Sequence, residues 1–346
     1  MTKLVFVTQQ VDREHPTLGA AAAMVGALAS RVDELVVLAS RAVPEALPGN
    51  ARFHSFAAPT QALRGARFEG ALAFELARGR PLAVVAHMSP IYAVLAAPLA
   101  RPLGVRVLLW FTHWRASRLL HLAERVSSAV LSVHVASFPL ASAKVIGAGH
   151  CIDVDEFPCS APRDGAGLRL VSLGRYSPAK GLPAILRAVA RVRVEGIDAR
   201  LAVHGPEPLA ADAAHRRELG RLAVELGLGG AASFGDAVSR LEIPRLLASA
   251  DALVNNMRAG AADKIVVEAA AACRPALSSA DGYAALLPRS LRFPCDDDEA
   301  LARRLAELAA LPVDRRGLLG RELRARVERE HSVGHWADAV LAAAGS

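Results

Sequence analysis

Short apolar runs alternate with longer segments of helical spacing along most of this chain. In the first half the runs lie at residues 3–8, 34–39, 82–86, 105–110 and 129–133, and in the second half at 168–173, 199–204, 231–234, 251–255 and 275–279. Between them lie Ala- and Leu-rich stretches such as 20–32, 119–126 and 182–192. Strands that alternate with helices of about 10–15 residues form βαβ units and parallel sheets.

The alternation occurs twice, and a stretch that contains Pro, Gly and Ser separates the two series at residues 158–167. A chain of 346 residues is long enough for two domains of roughly 150 residues each. The pattern therefore predicts an α/β fold with two doubly wound domains, at residues 1–158 and 168–328. Residues 329–346 are predicted to form a terminal helix outside the second series.

The composition excludes several classes of protein. Hydrophobic residues make up 53% of the chain and charged residues 22%, which excludes a disordered protein. No run of about 18 uncharged apolar residues is present, and the N-terminal apolar stretch is too short for a signal peptide. The four cysteines form no CxxC pair and no zinc spacing with the 11 histidines. A reduced, cytoplasmic chain is therefore expected.

The net charge of +7 fits a nucleic acid, an anionic membrane surface or an anionic substrate. The arginines are scattered and no basic run is interleaved with aromatic residues, so no nucleic acid is expected as a partner. Contact with a membrane is expected to be peripheral at most. Only four of the cations are lysines, which makes Lys180 a candidate for a specific role.

Two segments of the second half carry candidate chemistry. The strand at 168–173 is followed by GRYSPAKG (174–181), in which Arg175 and Lys180 precede a helical pattern. A glycine, two cations and a helix start form an anion cradle suited to a diphosphate; a solvated loop is the alternative. Glu268 lies in an apolar, Ala-rich helical stretch, where a buried carboxylate needs a partner. An exposed Glu on an amphipathic helix is the alternative there.

Two further patterns have simpler interpretations. The acidic run 296–299 directly precedes a helical pattern at 300–308, and acidic residues at a helix start complement the helix dipole. A capped helix is therefore expected rather than a metal site. Gly147 and Gly149 begin a GxGxxG pattern, but Ile152 occupies its third glycine position, so NAD binding is not expected.

The segments GRYSPAKG, HGPEP, FGDAVSRLEIPRLLASADALV and DKIVVEAAAACRPALSS resemble the nucleotide-sugar domain of retaining, GT-B-type glycosyltransferases (family 4-like, "glycosyl transferases group 1"). In the first half HMSPIY, LLWFTHWRASRLLHLAERV and KVIGAGHCIDVDEF resemble the acceptor domain of that family. The motifs follow the family order over nearly the whole chain. The resemblance implies a GT-B architecture, with two Rossmann-like domains facing an interdomain cleft and the terminal helix packed back on the N-terminal domain.

The resemblance also implies an activity: transfer of a sugar, with retention, from a nucleoside diphosphate sugar (UDP-sugar favoured) to a hydroxyl acceptor, without a metal or other cofactor. Arg175 and Lys180 match the cations that stabilise the leaving diphosphate, and His113 matches the region whose His approaches the transferred sugar. The donor-binding positions are Gly174, Gly205, Gly235, Val238, Asp263, Lys264 and Glu268, of which Glu268 matches the carboxylate that holds the ribose. The acceptor is expected beside Gly19, which matches a Gly-rich turn, and near His15 and His87.

The chain departs from the family pattern at several positions. Gly260 stands where the family carries the first of two glutamates, and Asp263 and Lys264 partly fill that space. Cys151 and Cys273 stand where glycines are usual, as does His204. These departures leave two alternatives: a degenerate homologue that binds nucleotide or glycan without transfer, and a sugar epimerase or hydrolase on the same fold.

Overall fold

A computed structural model of the chain describes residues 2–15, 18–163, 165, 167–258 and 263–345. The chain forms two compact units: unit 1 comprises residues 1–153 and 330–346, and unit 2 comprises residues 154–329. Each unit is built on a parallel sheet with helices between its strands. The predicted class, two doubly wound α/β domains, is confirmed.

Unit 1 contains a seven-stranded parallel sheet. Its elements are β1 (Lys3–Val7), β2 (Gln10–Val11), α1 (Ala20–Ala29), β3 (Glu34–Ala39), β4 (Arg41–Ala42), β5 (Ala51–Ser55), α2 (Gln61–Arg78), β6 (Ala83–His87), α3 (Pro90–Ala100), β7 (Arg106–Trp110), α4 (Arg118–Val126), β8 (Ala129–Ser132), β9 (Val145–Gly147) and, from the end of the chain, α11 (Val333–Gly345). The sheet order is β5-β3-β1-β6-β7-β8-β9, and β2 pairs separately with β4.

Alternate residues of the central strands of unit 1 enter two different cores, because successive side chains of a strand point to opposite faces. Phe6 belongs to the core with residues of α1 and α11, and its neighbour Val5 to the core with residues of α2, α3 and α4. Trp336 of α11 is fully buried and meets Phe6 and Trp110 edge-to-face, with ring centroids 6.1 and 5.9 Å apart. The terminal helix is therefore part of the hydrophobic core of unit 1.

Unit 2 contains a five-stranded parallel sheet in the order β12-β11-β10-β13-β14. Its elements are β10 (Leu168–Leu173), α5 (Leu182–Val194), β11 (Ala199–His204), α6 (Ala210–Glu225), β12 (Ala232–Gly235), α7 (Ile243–Ser249), β13 (Ala252–Asn255), α8 (Lys264–Ala271), β14 (Ala276–Ser278), α9 (Asp298–Ala310) and α10 (Val313–Glu330). Asp297 caps α9 by accepting a hydrogen bond of 2.8 Å from the Ala300 N–H. The capped helix expected for the acidic run is confirmed.

The sequence pattern missed β5 and β9, both of which lie at edges of the unit 1 sheet. In β5, Arg52 and His54 alternate with less polar residues, and both side chains reach Glu75 of α2, at 3.4 and 2.7 Å. These polar side chains hid the strand from a search for apolar runs.

A buried ion network joins β1, β5 and α2. The Lys3 ammonium lies 2.6 Å from the Glu75 carboxylate and also donates to the Glu75 carbonyl oxygen at 2.8 Å. Glu75 is fully buried. Burial raises the pKa of Glu75, but hydrogen bonds from Lys3 and His54 and the charges of Lys3 and Arg52 outweigh it, so the pKa lies below its ordinary value. Glu75 therefore remains ionised in the fold.

The cysteines depart from the expectation of a reduced chain. Cys159 and Cys273 form a disulfide, with Cα atoms 5.1 Å apart, whereas Cys151 and Cys295 are free thiols. The prediction was wrong for this pair because the partners lie 114 residues apart and follow no motif. Cys151 and Cys273 both have positive φ angles, 56° and 58°, the backbone conformation that explains why glycine is favoured at such positions.

We expect Glu75→Gln to lower the free energy of unfolding by about 3–5 kcal/mol, because it leaves the buried Lys3 ammonium without its counter-charge. The loss is measured by urea denaturation. Glu69→Gln, a half-buried position on the same helix, should change stability by less than about 0.5 kcal/mol. Because the pKa of Glu75 is lowered in the fold, its contribution should disappear as the pH falls through that value. Equal stability of the two variants would contradict the role assigned to the network.

Candidate functional site

The strand order of unit 2 reverses beside β10, whose neighbours are β11 on one side and β13 on the other. Loops that leave two such strands run in opposite directions and open a crevice at the carboxyl edge of the sheet. The loop after β10 is the segment 174–181, and the loop after β13 begins at Asn256. The predicted anion cradle therefore lies at this switch point.

Lys180 bridges the two loops. Its ammonium is paired with the Asp263 carboxylate, which also accepts a hydrogen bond of 3.0 Å from Asn255. The Tyr283 hydroxyl donates to the Asp263 carbonyl oxygen at 2.5 Å. The lysine chain crosses Gly174, where φ is 136° and an added Cβ would overlap the ammonium. The Lys180 side chain is only 15% exposed, so its charge is fixed at the carboxyl edge of the sheet.

Glycines allow the loops after β10, β11 and β12 to approach one another. A Cβ at Gly205 would overlap the carbonyl oxygen of Gly174, and a Cβ at Gly235 would overlap the ring of His204. The buried Tyr176 hydroxyl lies 2.8 Å from the Gly235 carbonyl oxygen, which ties the first of these loops to the third. Of the glycines predicted for the donor site, Gly205 is thus required by close backbone packing, whereas Gly174 and Gly235 leave room for the side chains of Lys180 and His204.

We expect Gly205→Ala to displace the loop 174–181 and so reduce binding of an anion there, because the methyl group cannot fit against a backbone carbonyl. The measurement is nucleotide titration together with thermal unfolding. Gly220→Ala in α6 is the matched control, since nothing lies within 4 Å of an added Cβ there. That substitution should be neutral or stabilise the protein by up to about 1 kcal/mol. Unaltered nucleotide binding in Gly205→Ala would contradict the close approach.

Arg175 lies in the same loop as Lys180 but pairs with a different carboxylate. Its Nε is 3.2 Å from the carboxylate of Asp212 in α6, and its side chain is 48% exposed. Asp212 is buried and also accepts a hydrogen bond of 3.1 Å from the Leu209 N–H. The two predicted cations therefore share a loop and hold separate counter-charges.

Glu268 lies within α8 and is buried, as predicted from its apolar surroundings. Its carboxylate is 3.3 Å from Lys264 and 3.4 Å from Arg240, which also lies 2.5 Å from Glu156. Glu268 therefore has two cationic partners, where the sequence predicted at least one. Val238 is half-buried in the segment between β12 and α7, two residues before Arg240.

The sequence reading missed polar residues at the end of β13. Asn256 donates to the carbonyl oxygen of Gly181 and to the Asp296 carboxylate, each at 2.9 Å, and accepts from the Asp296 N–H at 3.1 Å. Two consecutive asparagines at the end of an apolar run were the available signal. Gly260, the position of the missing glutamate, lies outside the described residues. The described ranges contain no group of three or more His, Cys, Asp or Glu side chains arranged to hold a metal ion.

Unit 1 has a corresponding switch point between β1 and β6. The Thr8 hydroxyl, just after β1, lies 2.8 Å from Nδ1 of His87 at the end of β6, and Gln9 donates to the Ser89 hydroxyl at 3.2 Å. His87 is buried, and this burial lowers its pKa to about 4. The imidazole is therefore neutral at physiological pH.

The other acceptor-side candidates lie on different loops. His113 is exposed in the loop after β7, where its ring stacks on Trp114 with centroids 5.8 Å apart. His15 and Gly19 lie between β2 and α1, and the His15 ring accepts a hydrogen bond of 3.0 Å from the Leu18 N–H. Gly19 has a φ of −52°, a conformation open to any residue. His87, the last residue of β6, and His113, in the loop after β7, therefore lie at the ends of neighbouring strands of the sheet.

We expect His87 to make the fold less stable in acid. Its folded pKa of about 4 lies below the ordinary 6.5, so below pH 6.5 the unfolded chain takes up a proton that the folded chain does not. The free energy of unfolding is therefore about 2 kcal/mol lower at pH 5 than at neutral pH. His87→Gln should weaken the fall in stability between pH 7.5 and pH 5 by that amount, measured by urea denaturation. The exposed His121→Gln is the control, and identical pH profiles for wild type and His87→Gln would refute the assignment.

Comparison with known proteins adds to this geometry. Residues 167–310, less than half of the chain, match the family model "Glycosyl transferases group 1". No curated protein sequence matches the chain. Similar solved structures include Anabaena HepE in complex with UDP and glucose (14% identity, TM-score 0.71, 100% of both chains). They also include the sucrose-phosphate synthase of Thermosynechococcus elongatus (14%, 0.71, 99% of this chain and 98% of that one).

A third similar structure is a UDP-forming trehalose-phosphate synthase from Burkholderia xenovorans (16% identity, TM-score 0.68, 99% of both chains). The fold is GT-B. Identities this low establish the fold and not the substrate of this GT-B chain. The family match lies within unit 2, which carries Lys180, Asp263 and Glu268. The GT-B prediction is therefore confirmed, whereas the roles of individual residues stay predictions.

Proposed function

We propose that this GT-B protein is a glycosyltransferase that moves a sugar from a nucleoside diphosphate sugar to a hydroxyl acceptor. The observation that carries the proposal is the position of Lys180, whose partly buried ammonium is fixed at the switch point of the unit 2 sheet. Anionic ligands of open α/β sheets bind at such crevices. The family match over residues 167–310 supports the same assignment.

A UDP-sugar is the donor that we favour. One similar structure holds UDP and glucose, and another is described as UDP-forming. In this chain the diphosphate would lie against the loop 174–181, with Lys180 and Arg175 as its cations. Glu268, in the neighbouring helix α8, would hold the ribose hydroxyls, and the segment around Gly235 and Val238 would lie beside the base.

The cations act on the leaving group. Negative charge develops on the diphosphate as the glycosidic bond breaks, and fixed cations stabilise this charge in the transition state. To do so, the Lys180 ammonium turns from Asp263 to a phosphate oxygen. Asp263 remains stabilised after this exchange, because Asn255 donates to the same carboxylate. The pair therefore keeps the ammonium in place before the donor binds and releases it afterwards.

We infer transfer with retention by a front-face route, in which the acceptor hydroxyl attacks from the side that the diphosphate leaves. A double displacement would need a carboxylate nucleophile. Asp263 is paired with Lys180, and Glu268 is held by Lys264 and Arg240, which suits these carboxylates to positioning rather than attack. His113 would help to place the sugar, and Gly19, His15 and His87 would line the acceptor side. No metal is needed in this scheme.

We expect Lys180→Ala to lose at least about 2 kcal/mol of transition-state stabilisation, roughly thirtyfold in kcat/KM, by analogy with other fixed electrostatic donors. The first measurement is calorimetric titration of wild type and variant with UDP, GDP and ADP. Micromolar binding of one nucleotide, lost in Lys180→Ala, is the expected result.

Arg303→Ala is the matched control, because it removes an exposed cation of α9 in the same unit. It should bind nucleotide as the wild type does. Failure of all three nucleotides to bind would overturn the donor site. Binding without transfer to any acceptor would instead identify a degenerate nucleotide-binding homologue.

A further inference from the structure

An amphipathic surface covers the outside of α4 and the loop before it. We call it the α4 surface and define it by Trp114, Arg115, Arg118, Leu119, Leu122 and Arg125. The inner side of the helix is fully buried through Leu120 and Ala123. On the outer side Trp114 is 65% exposed, Leu122 46% and Leu119 38%. Three large apolar side chains are therefore held in solvent within one short segment.

Among the residues that the structure describes, none supplies an acidic partner to the arginines of the α4 surface. In the ranges that the structure describes, no carboxylate lies within 4.0 Å of the guanidinium groups of Arg115, Arg118 or Arg125. Glu124, the acid of this helix, instead bonds to the Ser142 hydroxyl at 2.6 Å and lies 3.8 Å from Lys144. The Arg115 guanidinium stacks over the Trp114 ring at 4.8 Å. The outer side of α4 is thus both apolar and cationic.

We propose that the α4 surface docks on an anionic phospholipid membrane. Short amphipathic helices with leucines, a tryptophan and arginines lie in the plane of the membrane interface, where the apolar side chains enter the acyl boundary and the cations meet lipid phosphates. Among the described residues, no helix is long and apolar enough to cross a membrane. With nine residues, α4 suits peripheral contact of this kind.

The charge complementarity favours a lipid surface over a protein partner of matching shape. The three arginines are long and exposed and have no acidic partner among the described residues, which suits a fluid array of phosphates that rearranges around them. Electrostatic attraction needs no apolar area, whereas the exposed leucines and Trp114 supply apolar side chains that can enter the acyl boundary of a membrane. Leucines and arginines both lie on the exposed part of α4, and Trp114 and Arg115 lie in the loop directly before it, so one short segment supplies both contributions.

The tryptophans of the chain provide a direct test. Trp110 and Trp336 are 3% and 0% exposed, whereas Trp114 is 65% exposed, so Trp114 reports contact of the α4 surface with lipid. The full chain is mixed with vesicles of phosphatidylcholine, with or without phosphatidylglycerol, and with brominated acyl chains as quenchers. We expect a blue shift and quenching with the anionic vesicles only, and weaker binding as salt is raised.

Two double variants separate the contributions. Arg118→Glu with Arg125→Glu should weaken vesicle binding at least about tenfold, and Leu119→Ser with Leu122→Ser should remove the blue shift. Val194→Ser with Val224→Ser is the matched control, because these valines are exposed on helices of unit 2. Trp114→Phe should abolish the optical signal while the protein still sediments with anionic vesicles. Circular dichroism checks that each variant is folded.

Absence of binding to anionic vesicles would overturn the proposal, as would equal binding by wild type and both α4 double variants. Binding without quenching of Trp114 would show that another surface meets the lipid and would also overturn it. Titration with UDP gives a separate readout in unit 2. Failure of docking is therefore distinguishable from failure of the proposed donor site.

Discussion

The reversal of strand order beside the first strand of each sheet is the constraint on which both candidate sites depend. In unit 1, β1 lies between β3 and β6, and in unit 2, β10 lies between β11 and β13. Because the crossovers on the two sides go to opposite faces, the loops at the carboxyl edge separate and leave polar groups between them. Thr8 meets His87 at one switch point, and Lys180 meets Asp263 at the other. The order in which the buried strands pack thus determines where polar side chains from different loops come together.

The polar groups at these places are satisfied within the protein before any ligand binds. A partly buried ammonium without a counter-charge would be costly, so Lys180 needs Asp263 in the free protein. The diphosphate of the proposed donor would carry more charge than one carboxylate and offer more acceptor oxygens, which would favour the exchange. The same pairing would limit the affinity for the proposed donor, because the Lys180 ammonium would have to leave Asp263 in order to bind it.

The sequence was sufficient for the fold and insufficient for the partners within the site. Apolar runs located the central strands of both sheets because these strands are buried on both faces. They failed at β5, an edge strand whose Arg52 and His54 bind Glu75. Glu268 could be recognised as a buried carboxylate, but its partner Arg240 comes from a loop after another strand. The disulfide of Cys159 was hidden for the same reason, since tertiary contacts join segments that have no fixed spacing along the chain.

The distribution of charge changes the meaning of the net charge of +7. Around the candidate donor site the cations are balanced locally, since Arg175, Lys180, Arg240 and Lys264 pair with Asp212, Asp263, Glu156 and Glu268. The proposed anionic donor would therefore be recognised by the placement of these cations and not by an excess of them. Part of the excess lies on exposed arginines without described acidic partners, as on the outer side of α4. The electrostatic field of these arginines acts over a surface rather than on a single ligand. Salt screens this field, with a Debye length of about 8 Å at physiological ionic strength. Salt should accordingly weaken the proposed membrane docking far more than the proposed nucleotide binding.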